Sequence, residues 1–357
     1  MRCLRGVIIS RTPFRISFFG GGTDYPAWYR AHGGSVLGTT IDKYCYLTCR
    51  YLPPFFEHRI RLVYSAIENC QTVDDIAHPA VREALRFMQI DQGIEIHHDG
   101  DLPARSGMGS SSAFTVGLLH ALHALKGYMP SKRQLAREAI HIERERLRET
   151  VGSQDQVLVA HGGFNQITFL ADGEFAVRPI TVSADRQADL QRHLMLFYSG
   201  VQRTASEIAA TYVADVEASR RQLRIMKDLV EEGISVLNGR QDIVEFGELL
   251  DEAWQAKRQL GPSVSSPEVD AIYDAARKAG AIGGKLVGAG GGGFLLLFVP
   301  PPFQSRVREA LRHLIWVPFR FETTGSQIIV YDPDEDCASE ADSRPSLAPF
   351  PCVELAS

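Results

Sequence analysis

The sequence predicts an α+β protein, because its strand-like and helix-like patterns come in blocks rather than in strict alternation. Residues 7–64 contain short alternating runs of apolar and polar residues, which are typical of strands. Two amphipathic helical patterns follow near residues 111–126 and 131–149, and a glycine–serine segment at residues 102–113 runs directly into the first of them. A chain of 357 residues can form one large or two moderate domains, each with its own hydrophobic core.

The N-terminal part of the chain provides most of the predicted strands. We expect them at residues 7–9, 14–19, 44–51 and 59–64, and again at about 163–170 and 174–178. The first predicted helix carries apolar residues at three-residue steps from Ala113 to Leu125. The second is expected to begin after Ser131, a residue type that suits an N-cap.

The pattern changes near residue 185. A strand is predicted at residues 193–198, then helical tracts to about residue 279, a glycine cluster, a strand, a helix and two further strands. We therefore predict an N-terminal domain at residues 1–185, a C-terminal domain at 186–332 and a tail at 333–357. The tail is acidic and then rich in proline and serine, without an apolar period, so we expect a flexible appendage.

The composition favours a cytoplasmic enzyme that acts on small molecules. A net charge of −5 argues against nucleic acid or a membrane surface as the main partner. No apolar stretch approaches the roughly 18 residues of a membrane span, and no apolar signal region precedes Arg11. The sequence leaves open whether the chain forms a homo-oligomer.

The cysteines and histidines do not form a metal-binding pattern. Six cysteines are scattered without a C-x-x-C pair, so free thiols are expected. Cys45 and Cys49 are four residues apart in a predicted strand that rises about 3.3 Å per residue, which is too far for a disulfide. His97 and His98 are neighbours in a strand and point to opposite faces, which favours an ordinary strand end over a metal site.

The segment at residues 102–113 (LPARSGMGSSSA) is the strongest functional signal in the chain. Gly107 and Gly109 allow the backbone to approach an anion, and the serines at 110–112 place hydroxyls and free N–H groups at a helix N-terminus. The segment lacks the lysine of a Walker loop and the third glycine of a dinucleotide-binding loop. We therefore predict a phosphate-binding loop of another kind, with a tight turn and a capped helix as the structural alternative.

Two further glycine clusters lie far away in sequence, at residues 20–22 and 288–293. The second spells G-x-G-x-x-G, but the apolar run at 294–299 predicts a strand where a dinucleotide-binding fold needs a helix. We therefore do not expect a dinucleotide cofactor. We expect the cluster to bring backbone N–H groups to a binding cleft, with a tight turn as the structural alternative.

Together, the three glycine-containing blocks resemble those of the GHMP kinases, the superfamily of galactokinase, homoserine kinase, mevalonate kinase and phosphomevalonate kinase. The resemblance covers about residues 8–330. It implies an N-terminal domain like ribosomal protein S5 domain 2 and a ferredoxin-like C-terminal domain, with ATP and the acceptor between them. Shorter segments resemble the branch that contains D-glycero-D-manno-heptose 7-phosphate kinase and the kinase domain of fucokinase. They lie at residues 20–24, 142–145, 152–156 and 162–165.

The resemblance implies an ATP-dependent sugar kinase. The heptose branch would phosphorylate the C1 hydroxyl of D-glycero-D-manno-heptose 7-phosphate, giving the 1,7-bisphosphate for nucleotide-activated heptose and surface polysaccharide. L-Fucose or another sugar is the alternative acceptor within the superfamily. A sugar- or nucleotide-binding regulator without catalysis is the alternative from another class. Arg15, Ser111, Glu143 and Asp155 are all present, which argues against that regulator.

The resemblance assigns the transfer chemistry to two residues far apart in the chain. Asp155 corresponds to the carboxylate that accepts the proton of the acceptor hydroxyl. Arg15 corresponds to the basic residue beside it, which would keep the carboxylate ionised and contact the transferred phosphoryl group.

Glu143 can also be argued from the predicted helix. It falls in the middle of an apolar arc, whereas Arg144 faces away from that arc. A buried carboxylate needs a cation, either Mg²⁺ or a nearby arginine. The resemblance pairs Glu143 with Ser111 as ligands of Mg²⁺, and Ser110 and Ser112 stay open as alternatives.

The resemblance also marks the residues around the two substrates. The predicted ATP-binding residues form one run, namely Arg105, Ser106, Gly107, Met108, Gly109, Ser110, Ser111 and Ser112. The predicted acceptor-binding residues are Gly21, Gly22, Thr23, Asp24, Arg203, Gly290 and Gly291. Asp24 would accept hydrogen bonds from sugar hydroxyls, and Gly21 and Gly22 stand where galactokinase has Glu-His, which argues for a bulkier acceptor than galactose. Arg203 is the expected partner of the 7-phosphate, with Lys43 and Arg105 as further candidates.

Overall fold

The computed structural model describes residues 6–53, 55–104, 106–201, 208–209 and 216–332. Arg105, Arg203 and the predicted tail at 333–357 lie outside the described residues. The first half contains β1 (Val7–Phe19), α1 (Pro26–His32), β2 (Gly34–Tyr51), β3 (Ile60–Val63), β4 (Ile67–Cys70), α2 (Pro79–Met88), β5 (Ile94–Gly100), α3 (Ser110–Leu125), α4 (Lys132–His141), α5 (Gln154–His161), β6 (Asn165–Phe169) and β7 (Phe175–Pro179). The second half contains α6 (Ala184–His193), β8 (Leu194–Tyr198), α7 (Arg220–Asn238), α8 (Val244–Arg258), α9 (Pro267–Ala279), β9 (Gly283–Leu286), β10 (Phe294–Phe298), α10 (Gln304–Ala310), β11 (Ile315–Trp316), β12 (Phe321–Glu322) and β13 (Gln327–Asp332).

Nine of the described strands form the first sheet, whose main order is β13-β1-β2-β5-β3-β4. β12 and β6 also pair with β2, and β7 pairs with β6. β1 and β2 are antiparallel, and their register shifts just after Pro13. Proline has no N–H to donate to a sheet, so an irregularity in the pairing is where a long strand tolerates it. The two short strands predicted on either side of Pro13 are therefore parts of one strand.

Four strands form the second sheet, in the antiparallel order β11-β8-β10-β9. The predicted helical tracts before residue 279 are α7, α8 and α9, and the strand predicted after the glycine cluster is β10. The two sheets are mainly antiparallel, and the helices occur in groups along the chain, which confirms the α+β class. In the part of the chain that the structure describes, no helix is long and apolar enough to cross a membrane.

The helix predicted at residues 131–149 is shorter than expected. Ser131 caps it as predicted, but the α-helix ends at His141. One π-helical turn follows over Ile142–Arg146, in which the Leu147 N–H donates to the Ile142 carbonyl. A π turn changes the angular spacing of side chains, so the helical wheel misplaces Arg144 although Ile142 and Glu143 are buried as predicted. Arg144, which we expected to face away from the core, lies only 18% exposed.

The chain returns to the first sheet at its end. β13 pairs with β1, from Val7 opposite Asp332 to Arg11 opposite Gln327, and β12 pairs with β2. The Ser326 hydroxyl connects this return to the core through hydrogen bonds with Thr12 (2.8 Å) and His120 of α3 (2.9 Å).

The boundary near residue 185 stays a prediction, and α1 and α2 are helices that the sequence patterns did not indicate.

The cysteines and histidines singled out above lie in strands or beside them. Cys45, Cys49 and Cys70 are buried thiols without a disulfide, and burial raises the pKa of Cys49 to about 12. His97 and His98 both lie in β5, as predicted.

Candidate active site

The predicted phosphate loop lies against the first strand. α3 begins at Ser110, and Gly109 precedes it with a φ of 75°, a left-handed conformation that glycine adopts without strain. The backbone N–H of Arg15 donates to the Met108 carbonyl at 3.2 Å. A β-carbon at Gly109 would lie 3.1 Å from Arg15 Cγ and 3.4 Å from Asp155 Oδ2. The positive end of α3 is therefore held beside the two residues predicted for catalysis.

Arg15 and Asp155 form a bidentate ion pair. Arg15 Nε donates to Asp155 Oδ1 at 2.7 Å, and Nη2 donates to Oδ2 at 2.6 Å. Arg15 Nη1 donates to the Gly107 carbonyl of the phosphate loop at 2.6 Å. The arginine side chain is 3% exposed and the aspartate 25%. The carboxylate thus stays accessible while its cation is buried behind it.

Asp24 is completely buried next to the segment that carries Asp155. Its carboxylate accepts hydrogen bonds from the Gly22 N–H at 3.0 Å and from the backbone and side-chain nitrogens of Gln154, both at 3.1 Å. Burial raises the pKa of Asp24 to about 6, and the charge of Asp155 adds to that shift. Gly152 packs so closely that a β-carbon there would fall 1.9 Å from Asp24 Oδ2. Gln154 therefore links the predicted acceptor-binding carboxylate to the predicted base.

Gly21 lies between two polar groups that lack a hydrogen-bond partner among the described residues. The Ser17 hydroxyl and the Gln154 amide oxygen are both buried and unpartnered. A β-carbon at Gly21 would lie 3.6 Å from Ser17 Oγ and 4.0 Å from Gln154 Oε1. Buried polar groups normally have partners, so these two are candidates for contact with a ligand. We did not predict either of them from the sequence.

Glu143 is buried in the π turn beside α3. Its Oε2 accepts hydrogen bonds from Ser112 Oγ at 3.1 Å and from the Gln156 amide, whereas Oε1 has no partner within the described residues. Burial raises the pKa of Glu143 to about 8. A free carboxylate oxygen and a serine hydroxyl are hard oxygen donors that fit Mg²⁺. The described part of the chain contains no cluster of three His, Cys, Asp or Glu ligands, so phosphate and water oxygens would have to complete the coordination.

The serine that contacts Glu143 is Ser112, not Ser111. Successive helical residues are about 100° apart, so the three serines at the start of α3 point in different directions. Ser111 is exposed, and its carbonyl accepts a hydrogen bond from the Thr115 hydroxyl at 3.1 Å. Ser112, one of the two alternatives left open, is therefore the serine in contact with Glu143. The pairing of Ser111 with Glu143 as ligands of Mg²⁺ stays a prediction.

The glycine cluster at residues 288–293 packs on the back of the phosphate loop. A β-carbon at Gly288 would lie 2.6 Å from Gly107 Cα, and one at Gly293 would lie 2.2 Å from the backbone carbonyl oxygen of Ser106. The Phe294 N–H donates to the Ser106 carbonyl at 3.3 Å. Two backbones can approach this closely only where side chains are absent.

Three predicted acceptor-binding residues are already engaged within the protein. The Gly291 N–H donates to the Val264 carbonyl at 2.8 Å, and a β-carbon at Gly290 would lie 2.7 Å from the same oxygen. The Thr23 hydroxyl donates to the Gly20 carbonyl at 2.8 Å. These contacts shape the loops around the three residues. Direct contact of these residues with the acceptor stays a prediction.

Lys43 of the first sheet pairs with a carboxylate, whereas Lys285 of the second sheet is buried against backbone carbonyls. Lys43, a weaker candidate for the 7-phosphate, lies 3.1 Å from Asp42 Oδ1. Lys285 of β9 was not predicted as a site residue, yet it is buried and donates to the carbonyls of Ser17 (3.0 Å) and Phe18 (2.7 Å). Burial lowers the pKa of Lys285 well below its usual value. Lys285 therefore fastens β9 to the strand that carries Arg15.

Lys257 of α8 is a second buried lysine that sequence reasoning missed. It donates to the carbonyls of Leu286 (3.2 Å) and Gly288. The helical spacing could have revealed this lysine, because Leu250, Trp254 and Lys257 follow one another at four and three residues and so share the buried face of the helix. A lysine on the apolar face of a helix is a candidate for a buried, specific contact.

Family comparisons agree with this geometry. The family model described as "GHMP kinases N terminal domain" matches residues 66–163. The model described as "GHMP kinases C terminal" matches residues 226–314. The first range contains the phosphate loop, Glu143 and Asp155, and the second contains Lys257 and the last glycine cluster. The chain belongs to the GHMP kinase family. It is an ATP-dependent kinase whose phosphoryl acceptor is a hydroxyl group.

Several relatives act on sugars. The chain is 27% identical over 316 residues to the D-glycero-alpha-D-manno-heptose 7-phosphate kinase of Campylobacter jejuni, a match that covers 85% of this chain and 93% of that protein. It is 26% identical over 352 residues to the L-fucokinase/L-fucose-1-P guanylyltransferase of Bacteroides fragilis, covering 85% of this chain but 36% of that longer protein. These matches support a sugar kinase of the family.

Solved structures confirm the fold. A D-glycero-D-manno-heptose 1-phosphate kinase from Bacteroides thetaiotaomicron superposes with a TM-score of 0.72 at 24% identity, over 90% of this chain and 98% of that one. The galactokinase of Lactococcus lactis in complex with galactose superposes with a TM-score of 0.68 at 17% identity, over 90% and 95% of the two chains. At these identities the superpositions bear on fold alone.

Proposed function

We propose that the protein transfers the γ-phosphoryl group of ATP to the C1 hydroxyl of D-glycero-D-manno-heptose 7-phosphate and forms the 1,7-bisphosphate. The product would serve the synthesis of nucleotide-activated heptose for surface polysaccharide. The observation that carries the proposal is the Arg15–Asp155 pair against Gly109 of the phosphate loop. The choice of acceptor rests on the match to the heptose 7-phosphate kinase, which spans nearly the whole length of that relative.

In the proposed mechanism, Asp155 orients the C1 hydroxyl and accepts its proton while the C1 oxygen bonds to the γ-phosphorus. The bond between the γ-phosphorus and the β–γ bridging oxygen breaks, and ADP leaves with that oxygen. Arg15 orients Asp155 and places a buried positive charge beside the phosphoryl group. The N–H groups at the start of α3 donate to phosphate oxygens.

Glu143 and Ser112 are the residues that we propose to hold Mg²⁺. The unpartnered Glu143 Oε1 is the direct reason, since a cation there would satisfy it and favour the ionised carboxylate. When bound, Mg²⁺ supplies charge neutralisation at the β- and γ-phosphate oxygens. Ser112 would keep the carboxylate oriented through its hydrogen bond to Oε2.

Asp24, Ser17 and Gln154 are the groups that we propose for recognition of the acceptor hydroxyls. Asp24 would supply a carboxylate, Ser17 a hydroxyl and Gln154 an amide oxygen, all around Gly21. The absence of a side chain at Gly21 leaves room for the sugar next to them. For the 7-phosphate, Arg203 stays our proposal. Arg144 is a further cation near Gln154, since its Nη1 lies 3.5 Å from Oγ of the preceding residue, Ser153.

L-Fucose is the second candidate acceptor, because the fucokinase of Bacteroides fragilis matches 85% of this chain. The two acceptors differ in a way that the enzyme must recognise. A sugar phosphate needs a cationic pocket in addition to the site at C1, whereas fucose does not.

An ADP-release assay tests the proposal. The purified protein with MgATP would be compared on the heptose 7-phosphate, mannose 6-phosphate, L-fucose, galactose and mevalonate. We expect strong preference for the heptose 7-phosphate and weak turnover of the same heptose without its phosphate. Turnover of L-fucose or galactose alone would keep the kinase and overturn the acceptor. No turnover with any compound would favour a binding protein without catalysis.

A further inference from the structure

Lys257 is a buried cation that no step above uses. It is 5% exposed and lies in the last turn of α8. Its ammonium contacts two backbone carbonyls, those of Leu286 and Gly288, and among the described residues no carboxylate lies within ion-pair distance of it. A buried ammonium whose direct contacts are neutral carbonyls is costly for the folded state. Its presence therefore calls for a contribution beyond stability.

A short series of contacts connects Lys257 to the reacting groups. Lys257 holds Gly288, and Gly288 lies against Gly107, where a β-carbon would come within 2.6 Å of Gly107 Cα. The Gly107 carbonyl accepts the Arg15 Nη1 hydrogen bond at 2.6 Å, and Arg15 pairs with Asp155. Each contact in the series is direct, and each glycine permits an approach that a side chain would block.

We propose that Lys257 is a positioning residue for phosphoryl transfer. It holds the glycine cluster at residues 288–293 against the phosphate loop, and through Gly107 it keeps Arg15 in place beside Asp155. It also adds positive charge behind the loop where the ATP phosphates bind. The inference rests on the phosphoryl transfer proposed above but not on the identity of the acceptor.

The charged groups that face Lys257 are Arg15, Asp155, Asp24 and Lys285. Burial lowers the pKa of Lys257 most, Arg15 lowers it further, and Asp155 and Asp24 raise it, with a result of about 7. Near neutral pH the amine therefore exchanges between its charged and neutral forms. The negative charge of bound ATP favours the charged form, so nucleotide binding and protonation of Lys257 support each other.

The test compares Lys257→Met with Lys227→Met. Lys227 of α7 also donates to a backbone carbonyl, that of His32 at 2.8 Å, but has no place in the proposed site. We expect Lys257→Met to lower kcat about 10- to 100-fold with an acceptor KM within about threefold of wild type. For the free enzyme, kcat/KM for MgATP should decline above about pH 7 in wild type and lose that decline in Lys257→Met. Lys227→Met should match wild type in both respects.

A kcat within about twofold of wild type, with the decline above neutral pH retained, would overturn the proposal. If Lys257→Met fails to fold, Gly288→Ala is the second variant, since it separates the two loops with Lys257 intact. It should show the same loss of kcat, and an unchanged kcat would count against the series of contacts. If wild type does not use the heptose 7-phosphate, the proposed acceptor fails, and Lys257 is tested with whichever acceptor is turned over. If none is, the pH dependence of MgATP affinity, measured by calorimetry, must differ between wild type and Lys257→Met for the proposal to stand.

Discussion

The side chains of Arg15 and Asp155, 140 positions apart in sequence, bind each other through two parallel hydrogen bonds. The arginine comes from the middle of β1, and the aspartate from the first turn of α5. A bidentate pair fixes the orientation of a carboxylate plane, which a single contact cannot do. The geometry therefore fixes the direction in which the partly exposed Asp155 carboxylate faces.

Replacing Asp155 should remove turnover without removing nucleotide binding. We expect Asp155→Asn and Asp155→Ala to lower kcat by a factor on the order of 10² or more, because the acceptor hydroxyl loses its base. MgATP affinity, measured by calorimetry, should change little. Asp185→Asn is the matched control, since Asp185 also lies in the first turn of a helix, in an exposed position. An Asp155 variant with substantial turnover would exclude this residue as the base.

The Mg²⁺ requirement should depend on pH through Glu143. Burial raises its pKa to about 8, so below that pH a metal ion must displace the carboxyl proton. The half-saturating Mg²⁺ concentration at fixed ATP should therefore fall as the pH rises from about 6.5 to about 8.5. Glu143→Gln should raise the requirement about tenfold or more and flatten its pH dependence. Identical Mg²⁺ titrations for the variant and wild type would contradict the assignment.

Two neighbouring serines offer a matched pair of variants. Ser112→Ala removes the hydroxyl that contacts Glu143, whereas Ser111→Ala removes an exposed hydroxyl one residue earlier. We expect Ser112→Ala to raise the Mg²⁺ requirement about tenfold and Ser111→Ala to change it much less. The reverse order, measured by ADP release against Mg²⁺ concentration, would restore Ser111 as the partner of Glu143.

Acceptor use should decline in weak acid because of Asp24. Its folded pKa of about 6, raised by burial, means that the carboxylate becomes protonated as the pH falls through that value. It would then lose part of its capacity to accept sugar hydroxyls, so kcat/KM for the acceptor should decrease below about pH 6. Asp24→Asn should have a low kcat/KM without this decline. A wild-type profile that stays flat down to about pH 5 would rule out the role.

Residue type and spacing were sufficient to predict some of the site. Glu143 lies on an apolar arc, and the glycines at 107 and 109 precede an apolar helix, so both could be found from pattern. The contact between Arg15 and Asp155 was expected from the family resemblance, since no local pattern joins residues that far apart.

Other features depend on geometry that local pattern does not carry. The choice of Ser112 over its neighbours follows from where α3 begins, and a shift of one residue would turn another serine toward Glu143. Arg144 was misplaced because the π turn changes the helical spacing. The Ser17 hydroxyl and the Gln154 amide oxygen stand out only in the three-dimensional structure, where both are buried without a hydrogen-bond partner among the described residues. Lys257 stood on the buried face of a helix, but its two carbonyl partners belong to β9 and to the loop after it.

The return of β12 and β13 to the first sheet affects how the protein is made in the cell. Translation produces these strands after the second sheet, so β1 emerges from the ribosome long before its edge partner exists. Until then its backbone groups at residues 7–11 are open to pairing with another chain, which is a hazard for nascent proteins. A message that stops before residue 321 would yield a chain that lacks Ser326, and α3 would lose the hydrogen bond between His120 and that residue. A truncated product would therefore expose a sheet edge to which proteases and chaperones can bind.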